Sequence, residues 1–522
     1  MELNPAFEEV SLLERLRRWS HEKGDRTALW FLDQEVSYAN LDRLSSHVAT
    51  GILAREIPSG SRILICLPNG VEFLYSFLGI LKAGCIAVPL FYKSGFERIQ
   101  QVASLCGARL IIVGRLHRDK ADQASIPLCS YGDIPKPNRP GDLSYFRKTL
   151  PEELAFLQFT SGSTANPKGV CISHRSLSIN IQQMIVAMEI SQHDRFLSWL
   201  PVHHDMGLVL MVLLPLFLGI PFKLLPVEMT RIHAWFRELE TWEATFTAAP
   251  DFAYRLAVKA VREPQQFDLS RLRVALNAAE AVRKQTILEF EDAFRLKKVV
   301  MPAFGLAEAT VGLTCREPGA ALETDQFGRV ALGRPFRGTK IRIVDDRGRP
   351  CKHNQIGHIQ FRSPAACSGY WENPDAERHL RVADGFLRTG DLGYLDVEGN
   401  LYFVSRSKNT IICAGRTIAP QEVEEWVDRL AGIRRSAALG WSKRDDQLAL
   451  VCEVRRMNLE KLSELQRTIV QEVHKQMGFR PAKVILVTHH TIPRTQNGKT
   501  QYRMLQDWLE TSSFPPGNIL LG

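Results

Sequence analysis

The order of elements across Arg62–Phe91 restricts the fold more than any other feature of the chain. RILICLP is a near-continuous apolar run, NGVEFLYSFLGILKAG repeats apolar residues at Val71, Leu74, Leu78 and Leu81, and CIAVPLF is a second apolar run. A strand apolar on both faces must be covered on both, and an amphipathic helix between two such strands returns the chain to the same edge of the sheet. The expectation is a buried parallel sheet. Further runs of this kind are Arg109–Gly114, Glu153–Thr160, Thr245–Pro250 and Arg273–Glu280, so the body should be a layered α/β fold. With 522 residues, 45% of them hydrophobic, the chain can bury one large core and a smaller one.

From Lys340 the texture changes to short strands with tight turns: KIRIVDDRGRP, HIQFRSP and YLDVEGNLYFVS, with turns at Asp346–Gly348 and Glu398–Asn400. This predicts a small β-rich subdomain. Beyond Ser405 the pattern becomes mixed α+β, with helices over QEVEEWVDRL and LEKLSELQRTIVQEVHKQM and a strand at KVILVT. The division expected is a large domain 1–404, a hinge 405–410 in SRSKNT and a small domain 411–522. IPKPNRPGD (Ile134–Asp142) reads as a surface linker and the final TSSFPPGNILLG as a loose tail.

Acidic and basic residues are interleaved along the chain, and the net charge of +9 is diffuse. Such a surplus suits phosphate-bearing or acidic partners and speaks against nucleic acid as a sequence-specific partner. The ten cysteines are scattered without a CxxC pair, mostly within apolar runs, and read as reduced thiols in a cytoplasmic protein. The N-terminus carries acids and has no apolar core segment, so no signal peptide is expected. Met206–Phe222 is free of charge but broken by Pro215, Gly219 and Pro221, which predicts a buried helix and a turn instead of a transmembrane segment.

FLQFTSGSTANPKGV, Phe156–Val170, places a hydroxyl- and glycine-rich loop directly after a strand. Gly162 and Gly169 allow backbone N–H groups close to an anion, Thr160, Ser161, Ser163 and Thr164 add hydroxyls, and Lys168 adds a point charge. A loop of this make-up leading into a helix near Ser173 suits a polyphosphate, although a solvated Ser/Gly turn has the same composition. It is not a P-loop, because Pro167 precedes the lysine.

With five further segments in matching order from about Asp25 to Arg503, the chain resembles the adenylate-forming superfamily, which includes acyl-CoA synthetases, acyl-AMP ligases, peptide-synthetase adenylation domains and luciferases. The resemblance implies that Thr160–Gly169 embraces the β- and γ-phosphates of ATP. In SWLPVHHDMGL it puts His204 beside the carboxylate pocket, with a structural role for His203 and His204 equally open. Ala278, Ala279 and Glu280 of NAAEAV would meet the adenine, with Ala278 and Ala281 standing where close relatives usually have Gly and Pro. In FGLAEAT, Phe304 would stack on adenine beside Gly305, and Glu308 would bind Mg²⁺. Ala307 stands where many members have a threonine, which favours the acyl-AMP ligase branch. Asp391 of LRTGDLG and Arg406 would hold the ribose, Lys408 would be the hinge, and Lys499 of IPRTQNGKTQYR would be the catalytic cation.

PDFAYRL, the NAAE loop, HHDMGL and GRTIAPQEVE resemble fatty acyl-AMP ligases, which pass a fatty acyl group to an acyl carrier protein. His204, Met206 and Phe252 are the candidate substrate residues, although each also suits ordinary core packing. Those ligases usually carry an insertion between the GYW and TGDLG segments. Here ENPDAERHLRVADGFLR has the shorter, CoA-ligase-like length, which keeps CoA open as the acceptor. A non-catalytic nucleotide sensor is the alternative from another class.

Overall fold

The computed structural model describes residues 7–134, 147–159, 167–227, 232–413, 416–441, 447–494 and 500–522. Thr160, Ser161, Gly162, Ser163, Thr164 and Lys499 lie outside the described residues, as does most of the linker at 134–142.

The opening strand–helix–strand pattern forms as its periodicity requires. Arg62–Cys66 pairs in parallel with both Ile86–Pro89 and Leu110–Val113, and helix Val71–Lys82 crosses between the first two. Every residue of that helix except Glu72 is buried, because one face meets the sheet and the other meets helix Tyr38–Leu53. The sheet has seven strands and ends in two antiparallel pairings, where Gly169–Ser173 lies between Leu154–Phe159 and Gly369–Tyr370.

A second, nine-stranded sheet contains Phe196–Ser198, Phe246–Pro250, Val274–Ala278 and Val300–Gly305 as parallel neighbours. Side chains between the two sheets form the largest apolar cluster, with Phe77 and Phe156 in edge contact and Phe196 stacked on Phe246. The third sheet is antiparallel and four-stranded, Lys340–Val344, Gly357–Arg362, Leu387–Leu395 and Leu401–Arg406. Its two turns fall where the sequence places them, with Gly348 at φ +77° and Gly399 at φ +85°. The fourth sheet, Ile433–Gly440, Leu448–Val454, Lys483–Val487 and Ile519–Leu521, packs on helices Pro420–Val427 and Leu459–Met477 around separate apolar clusters. We call the body formed by the first three sheets the large lobe and that around the fourth the small lobe.

One expectation is corrected. The tail is not loose throughout: Ile519–Leu521 adds an antiparallel strand to Lys483–Val487, because its apolar residues cap an otherwise open sheet edge. The buried helix and turn expected after Asp205 do form, winding first as a π-helix, Met206–Leu213, then as an α-helix, Leu214–Leu218, closed by Gly219 at φ +77°. Among the described residues no helix is long and apolar enough to cross a membrane. Nine of the ten cysteines are buried.

Candidate active site

A cleft of about 1930 Å³ opens between the two lobes, and most of the residues singled out in the sequence reach its wall. Adjacent parallel strands bring two of the predicted loops together: Val274–Ala278 and Val300–Gly305 end on the same edge, the usual place for a ligand site in such sheets. Ala278, Ala279 and Glu280 leave the first strand, and Phe304, Gly305 and Glu308 follow from the second.

The first loop is held from below by Asp251. Its buried carboxylate accepts from Arg283 N–H at 3.0 Å, Asn277 Nδ2 at 3.2 Å and Thr286 Oγ1 at 3.0 Å, and pairs with Arg255 Nε at 3.1 Å. Ala279 sits in the left-handed region, at φ +69°, a conformation that costs an L-residue about 1–2 kcal/mol. Glu280 turns its carboxylate to the start of helix Asp251–Ala260, accepting Phe252 N–H at 2.5 Å. Phe252 itself is half-buried against the core and is not among the residues lining the cleft.

In the second loop, a Cβ on Gly305 would lie 1.8 Å from Val311 O, so only glycine fits there. Phe304 is half-buried on the cleft wall with Phe403 at 6.3 Å. Glu308 follows in a single 3₁₀ turn and accepts the Tyr370 hydroxyl at 2.5 Å. Burial, reinforced by that carboxylate, raises the pKa of the Tyr370 phenol and keeps it a donor. Lys168 and Gly169 stand at the exit of the hydroxyl-rich segment, with Lys168 Nζ 5.0 Å from the Tyr370 ring centroid.

Asp391 and Arg406 are cross-strand partners, joined at 2.9 Å between Arg406 Nε and the aspartate. The carboxylate is buried and the guanidinium side chain is 57% exposed, so the pair presents its cation to the cleft. Lys408 lies in the 3₁₀ turn Ser407–Asn409, anchored by Ser407 Oγ to Gly390 O at 2.9 Å.

The two adjacent histidines separate in role. His203 is buried against Phe91 and the His204 ring, and desolvation followed by His204 holds its pKa well below the usual imidazole value. His204 and Met206 reach the cleft. The apolar wall also uses Met184, Met188, Leu210, Leu276 and Phe336. Of these five, Leu210 belongs to the apolar run Met206–Phe222, and the other four were not singled out in the sequence. The signal for the first two is Met184 and Met188 one helical turn apart, which a single chain cannot distinguish from core packing.

The small lobe contributes Thr500, Gln501 and Tyr502. Arg494 bridges to Thr500, bracketing the segment that contains Lys499. Tyr502 donates to the buried Glu424 carboxylate at 2.8 Å, which also accepts Ala438 N–H at 3.0 Å. Burial pushes Glu424 up to about 7. Arg283 pairs with Asp428 at 3.6 Å and Arg329 with Glu422, tying the large lobe to both ends of helix Pro420–Val427.

Among the described residues no three His, Cys, Asp or Glu side chains converge as a metal cage. Glu308, a hard carboxylate on the cleft wall bonded to Tyr370, is a donor of the kind that fits Mg²⁺ shared with substrate phosphate oxygens.

Residues 16–371 match the family model described as AMP-binding enzyme. FadD21 of Mycobacterium tuberculosis, named for a fatty-acid–CoA ligase, is 29% identical over 95% of this chain and 98% of its own. JamA of Moorena producens, named as a medium-chain-fatty-acid–[acyl-carrier-protein] ligase, is 29% identical over 94% of this chain and 93% of its own. A solved structure from work on fatty acyl-adenylate ligases of E. coli and L. pneumophila superposes with a TM-score of 0.87 at 25% identity, covering 96% of this chain and 98% of that one.

Proposed function

The chain belongs to the AMP-binding enzyme family, and on that premise we propose that it is a fatty acyl-AMP ligase that activates a fatty acid with ATP and passes the acyl group to a separate acyl carrier protein. The observation that carries this reading is one cleft that joins Lys168, Glu308 and the Asp391–Arg406 pair to an apolar wall containing Met184 and Met188. A nucleotide alone has no use for that apolar wall, and a fatty acid alone has none for the charged end. JamA and the fatty acyl-adenylate ligase structure support the same substrate class.

In this reading 1–404 is the adenylating domain, 405–410 the hinge about Lys408, and 411–522 the domain that delivers Lys499. Phe304 stacks on adenine between Gly305 and the Ala278–Glu280 loop, and Asp391 and Arg406 hold the ribose. Thr160, Ser161, Gly162, Ser163, Thr164, Lys168 and Gly169 hold the β- and γ-phosphates. His204 and Met206 flank the bound acid, while Phe252 acts indirectly by fixing Glu280. Glu308 would hold Mg²⁺, which would supply charge neutralisation at the phosphate oxygens.

The acid's carboxylate oxygen attacks the α-phosphorus, the bond to the β-phosphate oxygen breaks, and pyrophosphate leaves with its electron pair. Lys499 places a cation where negative charge accumulates during attack. A phosphopantetheine thiol then displaces AMP from the acyl-adenylate. The scattered, mostly buried cysteines, without a CxxC pair, suit a cytoplasmic setting.

A second reading, CoA as acceptor, is favoured by the short Glu372–Arg388 connection, which contains only the seven-residue helix Pro374–Leu380 before the next strand. The test is pyrophosphate release over fatty acids of graded length, with CoA and acyl carrier protein compared as acceptors. Acid-dependent release that Lys499→Ala abolishes, with the acyl group recovered on the carrier protein, is the expected result. Multiple-turnover acyl-CoA formation would replace the acceptor assigned here, and release indifferent to the acid would favour a nucleotide sensor.

A further inference from the structure

The Gly369–Tyr370 strand holds together the two sides of the charged end of the cleft. Tyr370 pairs with Val170, and Trp371 N–H donates to Gly169 O at 2.8 Å, which fixes the segment against the strand that follows Lys168. On the other side, Cys367 N–H donates to Glu308 O at 2.8 Å. Tyr370 is also tied to its own following helix through Glu377 Oε2, which accepts Tyr370 N–H at 3.0 Å. Gly369, at φ +135°, holds a backbone conformation that other residues rarely adopt, and a Cβ there would displace that same carboxylate, 2.5 Å away. The backbone of Tyr370 is thus located from three directions.

From this fixed point the side chain reaches both charged groups. Its hydroxyl donates to Glu308 Oε1 at 2.5 Å, and its ring lies 5.0 Å from Lys168 Nζ. A carboxylate in a single 3₁₀ turn has free rotamers unless a partner selects one. The bond to Oε1 selects one orientation of the carboxylate and leaves Oε2 available to a metal ion, and an aromatic face restricts where the ammonium can rest.

We propose that Tyr370 is a positioning residue that sets the Glu308 carboxylate and the Lys168 ammonium at a fixed separation for a Mg²⁺–triphosphate. This inference rests on the reading of Glu308 as the metal-binding carboxylate. Tyr370 is outside the set read from the sequence, where the GYW segment served only as a landmark.

The test is calorimetric binding of an α,β-methylene ATP analogue to the full-length protein, with and without Mg²⁺, so that no turnover is needed. Tyr370→Phe keeps the ring and removes the hydroxyl, and should raise the Mg²⁺ concentration needed for half-maximal strengthening by about tenfold. Its metal-free affinity should match that of the unaltered protein. Tyr370→Leu removes the ring too and should weaken metal-free binding as well, which makes it the second variant if Tyr370→Phe does not fold. In a Glu308→Gln background, Tyr370→Phe should add no further change. Superimposable Mg²⁺ titrations for Tyr370→Phe and the unaltered protein would overturn the proposal, as would a fully additive effect in the Glu308→Gln background. A protein that binds Mg²⁺-nucleotide but activates no fatty acid would refute the proposed function and leave this inference standing. A protein whose nucleotide binding ignores Mg²⁺ would overturn this inference alone.

Discussion

Inside the large lobe the sheets are joined by side chains such as Phe196, Phe246, Phe77 and Phe156, all fully buried, whereas the seam to the small lobe is joined by Arg283–Asp428 and Arg329–Glu422. The apolar interior has no preferred partner other than close packing, and separating it exposes area to water at about 25 cal/mol per Å². The seam exchanges one set of polar contacts for another, or for water, at small net cost. The first kind of joint suits a scaffold that must keep strand ends in register. The second suits two bodies that re-orient while each stays folded.

That contrast breaks most readily in the core. Phe246→Ala removes the ring stacked on Phe196 with centroids 4.4 Å apart and should cost about 3–5 kcal/mol in chemical denaturation. Pyrophosphate release per folded molecule should be unchanged. A variant that keeps its stability but loses activity would show that the interior is not merely a scaffold.

Glu424 sharpens the comparison through pH. The native carboxyl keeps its proton up to about 7 against 4.5 for the unburied group. Between these values the native state binds more protons than the unfolded one, so stability falls as pH rises through that window and levels above it. Glu424→Gln retains an acceptor for Tyr502 and Ala438 and should abolish the slope. The gain above pH 7 should be on the order of 1–3 kcal/mol, read from denaturation midpoints across pH. An unchanged slope would mean that Glu424 is not the group responsible.

Arg329→Ala tests the seam directly. It frees Glu422 and Asp325, and acid-dependent pyrophosphate release should fall about tenfold, with a smaller change in denaturation midpoint than Phe246→Ala gives. The unaltered protein should show part of the same loss as salt is raised, since partly exposed pairs are screened. Equal salt response in both proteins would remove Arg329 from the seam. The smallest effect expected is in the apolar wall: Met184→Ala should move the preferred acid longer by about one or two methylenes, each worth about 0.8 kcal/mol. A pyrophosphate panel over graded acids would show no shift if Met184 only packs.

The charged end of the cleft was largely legible because its residues sit within short segments that keep their local order. Phe304, Gly305 and Glu308 lie within five residues at the end of one strand and the turn that follows it, and Asp391 and Arg406 come together as soon as the hairpin between them forms. The apolar end was not legible. Met206 follows directly from HHDMGL, but Met184 and Phe336 lie more than a hundred residues apart and meet only when helix His174–Ala187 and the loop before Lys340 pack around Gly312. Phe252 was the counterexample: an apolar residue in the right segment, whose neighbour Asp251 holds the loop instead.

Hydrophobic period and turn chemistry determined by themselves the parallel strands, the helices over Val71–Lys82 and Leu459–Met477, and the hairpins of the third sheet, because those preferences act between residues a few positions apart. Only the tertiary structure decided that Tyr370 would hold Glu308 across 62 residues, that Asp251 would brace the loop after Val274–Ala278, and that the last strand would close the small-lobe sheet. Those contacts join groups whose separation along the chain carries no periodic signal. Their partners are selected by burial, where a carboxylate or a strand edge left without a hydrogen bond costs more than any local preference can offset.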